Sequence, residues 1–259
     1  MIALLGLALA CAPRRTPEPQ RTELNVLTWN LYFRAHDQPG LEEVLAEVDP
    51  EVVFLQETTA AWQARLEGLF PYEHWVHGPD QGGGVALLSK YPIEQLAVHQ
   101  VSGARFPAQR AEIQTHLGPV EVLNLHLIPP FGPRGSLITG FFRTKQPRYR
   151  EVQALLELGV PDLACGDFNA SEREASVSLF EKAGMVSALP EYAPGQHTWH
   201  GPGEHNFHWR IDHCMVGPAL ETTSAQVLEV GPSDHYPVWV GLRGTYKATP
   251  APPSPAQAG

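Results

Sequence analysis

Leu163-Ala164-Cys165-Gly166-Asp167-Phe168-Asn169 is an apolar run that stops at a glycine and delivers an aspartate and an asparagine two residues apart. Leu163 to Cys165 read as the end of a buried strand, and Gly166 permits a sharp change of backbone direction. Asp167 and Asn169 would then lean from the mouth of that strand into one cleft. A carboxylate and a carboxamide placed there suit the orienting of a water and the holding of a phosphoryl oxygen. The same Gly-Asp-x-Asn wording also makes ordinary turns, so its weight depends on what accompanies it.

Further segments have the same character. Residues 25–31 (NVLTWNL) read as a strand bearing Asn30, and residues 51–58 (EVVFLQET) as a buried strand bearing Glu57. Residues 120–127 (VEVLNLHL) carry Asn124 and His126. Residues 209–216 (WRIDHCMV) embed Asp212, and residues 231–240 (GPSDHYPVWV) set Ser233, Asp234 and His235 just ahead of another strand. A cap, a turn or a satisfied core histidine explains any one of these. It does not explain all of them together, because carboxylates and amides avoid apolar runs unless paired or liganded.

The order and wording of these segments resemble the endonuclease/exonuclease/phosphatase superfamily, which includes pancreatic-type deoxyribonuclease, exonuclease III-type abasic-site enzymes, neutral sphingomyelinases and inositol-polyphosphate 5-phosphatases. GDFN and SDH, with WN and QE upstream, carry the resemblance, which runs over residues 24–242. It implies an α/β fold, a four-layer α-β-β-α sandwich whose two packed mixed sheets deliver these strand ends to one cleft. It further implies a hydrolase that cleaves a phosphodiester by metal-assisted in-line attack of water.

Glu57 is a natural ligand for a hard cation such as Mg²⁺ or Mn²⁺, and the resemblance adds Asn30 and Asp234 around that metal. It assigns His235 to the scissile phosphate and to acid/base work, with Asp212 fixing its tautomer by the usual carboxylate–imidazole logic. Asp167 would hold or deprotonate the attacking water, Asn169 would donate to a phosphoryl oxygen, and His126 would add a second imidazole. Asn124 is expected to brace the site. Arg110, in FPAQRAEI, is implied to support the phosphate. Residues 82–92 (GGGVALLSKYP) match the family's Gly-rich strand and have a packing role, since no helix start with Lys-Ser/Thr follows.

A chain of 259 residues, 43% hydrophobic, can bury one substantial core, placed here over residues 23–244. Helical periodicity marks residues 41–48, 60–69, 148–158 and 176–183. The formal net charge of −10 opposes unselective polynucleotide binding through a broad basic face. Residues 131–150 (FGPRGSLITGFFRTKQPRYR) run the other way, with five basic residues, no acidic one, and Phe131, Phe141 and Phe142. As an insertion overhanging the cleft, this segment would grip a phosphorylated or single-stranded substrate or meet a lipid surface. As a loop packed on its own domain it would do neither. The substrate is left between nucleic acid and a phospholipid head group. A phosphomonoesterase and a non-catalytic exported binding or adhesion protein are the competing readings. A monomer is expected.

Residues 1–11 (MIALLGLALAC) are apolar but too short to span a bilayer, so they read as a signal peptide. Ala10 before Cys11, with a polar tether over residues 12–22, resembles a bacterial lipoprotein signal in which Cys11 bears lipid. Ala8 in place of the usual Leu, and no Lys or Arg before the apolar core, depart from that pattern. An ordinary secretory signal is the alternative. The protein is thus expected to be exported, either attached to the membrane through Cys11 or periplasmic or secreted. Residues 245–259 read as a disordered Pro/Ala-rich tail. Cys165 and Cys214 are expected as buried free thiols, with a disulfide between them as the less favoured alternative. His197, His200, His205, His208 and His213 are expected on the surface or in the cleft rather than around a second metal.

Overall fold

A computed structural model of the protein describes residues 22–78, 80, 82–130, 137–201 and 207–245. The proposed signal, Cys11, nearly all of the tether and tail, Phe131 and His205 lie outside the described residues. The chain opens with β1 (Leu24–Asn30), α1 (Leu41–Val48), β2 (Val52–Thr58), α2 (Ala60–Leu66), β3 (Tyr72–Val76) and β4 (Gly84–Ser89). It continues through β5 (Ile93–His99), β6 (Ala108–Thr115), β7 (Gly118–His126), α3 (Leu137–Glu157), β8 (Leu163–Asp167) and α4 (Ala175–Lys182). Next come β9 (Val186–Ser187), α5 (Leu189–Tyr192), β10 (Trp199–His200) and β11 (His208–Trp209). The last strands are β12 (Asp212–Val216), β13 (Leu220–Val227) and β14 (Val238–Gly244).

Burial along the strands decides the layers. In β1, Leu24 and Val26 face one way, Leu27 and Trp29 face the other, and all four are buried. A strand buried on both faces has to sit inside a stack. Val26, Phe54, Ala111, Val122 and Cys165 meet between the two sheets. Trp29 and Leu55 pack outward against Leu41 of α1 and Trp62 of α2. Leu125 and Ala164 pack against Val152 of α3 and Phe180 of α4. This is the α-β-β-α sandwich that the sequence implies.

The first sheet has the order β13-β14-β1-β2-β4-β3 and the second β5-β6-β7-β8-β12-β9. Each holds one parallel pair near its centre, β1 with β2 and β7 with β8, while the other pairings are antiparallel. Parallel strands must end on the same side, so Asn30 and Glu57 emerge together, as do His126 and Asp167. A hydrogen bond from Asn30 Nδ2 to Asp167 Oδ2 at 3.0 Å joins the two pairs across one rim.

Several elements differ from the sequence reading. Gly166 does not end β8, which runs on to Asp167; the glycine sits at φ 149, where a Cβ would lie 1.9 Å from the Leu125 carbonyl oxygen. Close approach to β7, rather than a turn, therefore requires it. Helix α3 begins eleven residues earlier than expected and carries Pro147 inside it. The strand expected over residues 209–216 is divided into β11 and β12. Cys165 and Cys214 are joined by a disulfide rather than free. Antiparallel pairing of β12 with β8 sets the two residues directly opposite, a neighbourhood that sequence spacing does not reveal.

Candidate active site

A cavity of about 270 Å³ opens at the rim where the two sheets meet, bordered by Glu57, His126, Asp167, Asn169, Asp234 and His235. Each arrives on its own element. Glu57 sits in the left-handed region at φ 53, its carboxylate accepting from Phe33 N–H at 3.2 Å and Asn30 Nδ2 at 3.3 Å. Asn169, also left-handed at φ 48, is a residue type that tolerates that conformation. Its Nδ2 donates to the Leu127 carbonyl at 2.9 Å, and its backbone N–H donates to Asp167 Oδ1 at 2.8 Å. Behind the cavity, Asp212 holds His235 Nδ1 at 2.9 Å. His235 Nε2 lies 3.8 Å from Asp167 Oδ2, and His126 Nε2 lies 3.4 Å from the same oxygen.

Burial gives these groups separated protonation tendencies. It pushes the Asp167 carboxyl up to about 7, assisted by repulsion from Asp212 and opposed by His235. Burial pushes the His235 imidazole down, but Asp212 and Asp167 outweigh it and hold the imidazolium up to about 10. His126 is driven well below the ordinary range by burial and by the charge of His235, and it stacks on Phe106 at 4.1 Å. Burial also raises Glu57, with Asp234 adding to the effect.

Four carboxylates, Glu57, Asp167, Asp212 and Asp234, thus surround one imidazolium. Hard oxygen donors in negative excess fit a divalent cation such as Mg²⁺ or Mn²⁺. Ligand atoms of Asp167, Asp212 and His235 also lie within 4.8 Å of one another. There the hydrogen bond between Asp212 and His235 already accounts for the grouping, while Asn30 turns its Nδ2 toward Glu57 and Asp167 and its Oδ1 accepts from the Tyr32 N–H.

Arg110 is not brought to the cleft. Its Nε donates to Glu121 Oε1 at 2.5 Å and its Nη1 to the Gly159 carbonyl at 3.0 Å. In β6 it pairs with Leu123, which packs toward α3, so its side chain serves the outer layer as a buried strut. Asn124 lies under the site between the sheets, accepting from Gln56 Nε2 at 2.8 Å and donating to the carbonyls of Leu55 and Ala86. The basic segment divides its work. Arg148 is fully buried against Glu174 at 2.7 Å, Phe141 meets Trp209 at 5.7 Å, and Phe142 remains 66% exposed.

Sequence reasoning missed the residues that hold the ligands in place. Trp199 Nε1 donates to Asp234 Oδ2 at 3.2 Å, and Thr198 Oγ1 accepts from the backbone N–H groups of Ile211 and Asp212. Ser233 Oγ donates to the Asn30 carbonyl at 2.6 Å and accepts from His235 N–H at 3.0 Å. Of these only Ser233 carried a signal, its place beside Asp234.

A family profile described as the Endonuclease/Exonuclease/phosphatase family matches residues 27–235. Inositol phosphosphingolipids phospholipase C of Schizosaccharomyces pombe is 24% identical over 193 residues, 64% of this chain and 45% of that protein. The chain spans less than half the length of the curated relatives it matches. Among solved structures, a humanized D. rerio TDP2 superposes with a TM-score of 0.69 at 17% identity, covering 86% of this chain and 99% of that one. The 3′ phosphatase NExo from Neisseria, bound to a product DNA hairpin, superposes with a TM-score of 0.64 at 20% identity, covering 84% and 98%. At these identities the likeness is one of fold.

Proposed function

The chain belongs to the endonuclease/exonuclease/phosphatase family, and from that premise we propose that it is a divalent-metal-dependent phosphodiesterase. The reading rests above all on the gathering of Glu57, Asp167, Asp234 and His235 around one small cavity. Asn30, Glu57 and Asp234 would hold Mg²⁺ or Mn²⁺, which supplies neutralisation of charge on the phosphoryl oxygens.

The remaining work falls to the chain's own side chains. Asp167 is held by the Asn169 N–H and the Asn30 amide, and a carboxyl raised to about 7 is poised to take a proton from an attacking water. His235, fixed through Nδ1 by Asp212, presents Nε2 to a phosphoryl or leaving oxygen as a proton donor. Asn169 spends one amide hydrogen on Leu127 and keeps the other for the phosphate.

Hydrolysis of bis-p-nitrophenyl phosphate with and without chelator tests the proposal. Turnover should vanish in EDTA and return with Mg²⁺ or Mn²⁺, and Glu57→Gln should weaken activity and metal response together. Full turnover in chelator would refute the metal role. No turnover under any metal condition would favour a binding protein.

A further inference from the structure

The parallel strands β7 and β8 end side by side at the rim, with His126 and Asp167 as register partners. Two further bonds hold them just beyond that point, from Leu127 N–H to the Asp167 carbonyl and from Asn169 Nδ2 to the Leu127 carbonyl, both at 2.9 Å. The chains then part. One runs through Ile128 to Pro129 and Pro130, which border the cavity, and the other runs through residues 169–174 into α4. Chain that has left its ladder is more mobile than the strand it leaves. The positions of Leu127 and Asn169 therefore depend on what grips the two exits.

Arg148 of α3 grips both. It is wholly buried, and acceptors meet its guanidinium on every nitrogen. Nε and Nη2 donate to the two oxygens of Glu174 at 2.7 and 2.9 Å, a fork on a carboxylate. Nη1 donates to the Ile128 carbonyl at 3.2 Å and to Thr144 Oγ1 at 2.7 Å, and Nη2 also reaches the Phe141 carbonyl at 3.5 Å. Ser176 Oγ fixes Glu174 in turn at 3.1 Å. One turn further along α3, the buried Glu151 carboxyl takes the Ile128 N–H. A single cation thus ties the exit of β7 to the exit of β8. Stability alone does not explain it, because apolar residues filling the same space are often as good as a buried ion pair. Apolar residues lack direction, however, and a lysine has no planar fork to span two loops.

We propose that Arg148 is a positioning residue for catalysis: through Ile128 and Glu174 it sets the Leu127 carbonyl, and with it the Asn169 amide that faces the phosphate. This rests on the phosphodiesterase reading above. Being wholly buried, Arg148 does not meet a phosphate itself and works through these bonds.

Turnover of bis-p-nitrophenyl phosphate with Mn²⁺, read beside the urea midpoint of each variant, separates positioning from mere support. Arg148→Met leaves Glu174 charged and unpaired, and its midpoint should fall. Arg148→Met combined with Glu174→Gln removes both charges, so the midpoint should return toward wild type. Its kcat should nevertheless stay about tenfold low, since small misplacements of a phosphate-binding group are costly. In an Asn169→Ala background the same pair should cost less than about twofold, because the group it positions is gone. Should the paired variant not fold, Arg148→Lys, which keeps a charge beside Glu174, gives the same comparison. Wild-type kcat in the variant that folds would overturn the proposal. So would kcat that recovers in step with the midpoint, or a tenfold loss that persists undiminished without the Asn169 amide. A wild-type protein without turnover would instead remove the phosphodiesterase reading, and this proposal with it.

Discussion

The disulfide between Cys165 and Cys214 ties β8 to β12 two residues below Asp167 and Asp212, which are themselves register partners. Replacing both cysteines by alanine releases a cross-link spanning a sequence separation of 49. On the chain-entropy account, a closed loop of that size restricts the unfolded state by about 4 kcal/mol. Domains of ordinary stability have only about 5–15 kcal/mol in total. Guanidinium unfolding followed by tryptophan fluorescence would measure the loss. With a denaturant slope of about 4 kcal/mol per molar, the midpoint should fall by about 1 M in the double variant. Reductant should lower the wild-type midpoint equally and leave the variant unmoved. Alkylation and mass spectrometry of the unfolded, unreduced protein should find Cys165 and Cys214 blocked. Finding both as free thiols, or an unshifted midpoint, would refute the cross-link and restore the expectation drawn from sequence.

Other perturbations test separate links. Asp212→Asn and His235→Ala should each cut kcat by roughly 10²-fold, yet the double variant should lose little more than the worse single one; strict additivity would mean that Asp212 does not act through His235. Burial raises the Glu151 carboxyl from 4.5 to about 8. The fold therefore keeps a proton that the unfolded chain releases, and stability should fall as pH rises through that window, by about 3 kcal/mol at pH 7. Glu151→Gln should flatten that slope in urea unfolding at pH 5 and pH 8, and an unchanged slope would show that the carboxyl is ionised in the fold. If Cys11 carries lipid, as we propose, Cys11→Ser should move the protein from the membrane fraction to the soluble fraction with diester hydrolysis intact; persistence in the membrane would end that reading.

Why the site was legible and its supports were not follows from how each is encoded. Glu57, Asp167 and Asp212 interrupt apolar strands, where an ionisable group stands out against its neighbours. Helix α1 was legible over its full length because Leu41, Val44 and Leu45 repeat at helical spacing. Arg110 misled because it occupies a strand facing the outer helices, and its partners Glu121 and Gly159 are remote in sequence. Trp199 opens the two-residue strand β10 and Thr198 precedes it, a stretch too short to show periodicity, and only the docking of β10 and β11 onto the rim gives them Asp234 and Asp212 as partners. The disulfide depends likewise on strand order. Pairings of this kind are set by tertiary topology and leave no local pattern.

The division of the site between two sheets makes its geometry depend on the spacing between them. Asn30 and Glu57 belong to the first sheet, and His126 and Asp167 to the second. Apolar packing alone would fix that spacing loosely, because hydrophobic contacts are not directional. Directional contacts are supplied directly below the site. Gln56, the residue before Glu57, donates to Asn124, two residues before His126, and Asn124 in turn donates to Gln109 Oε1 at 2.9 Å. Buried amides in such a network carry a heavy penalty when separated, so sliding one sheet over the other would break several bonds at once. The knot thereby holds Glu57 at a set distance from Asp167, the condition under which a cation and an attacking water can serve the same phosphate.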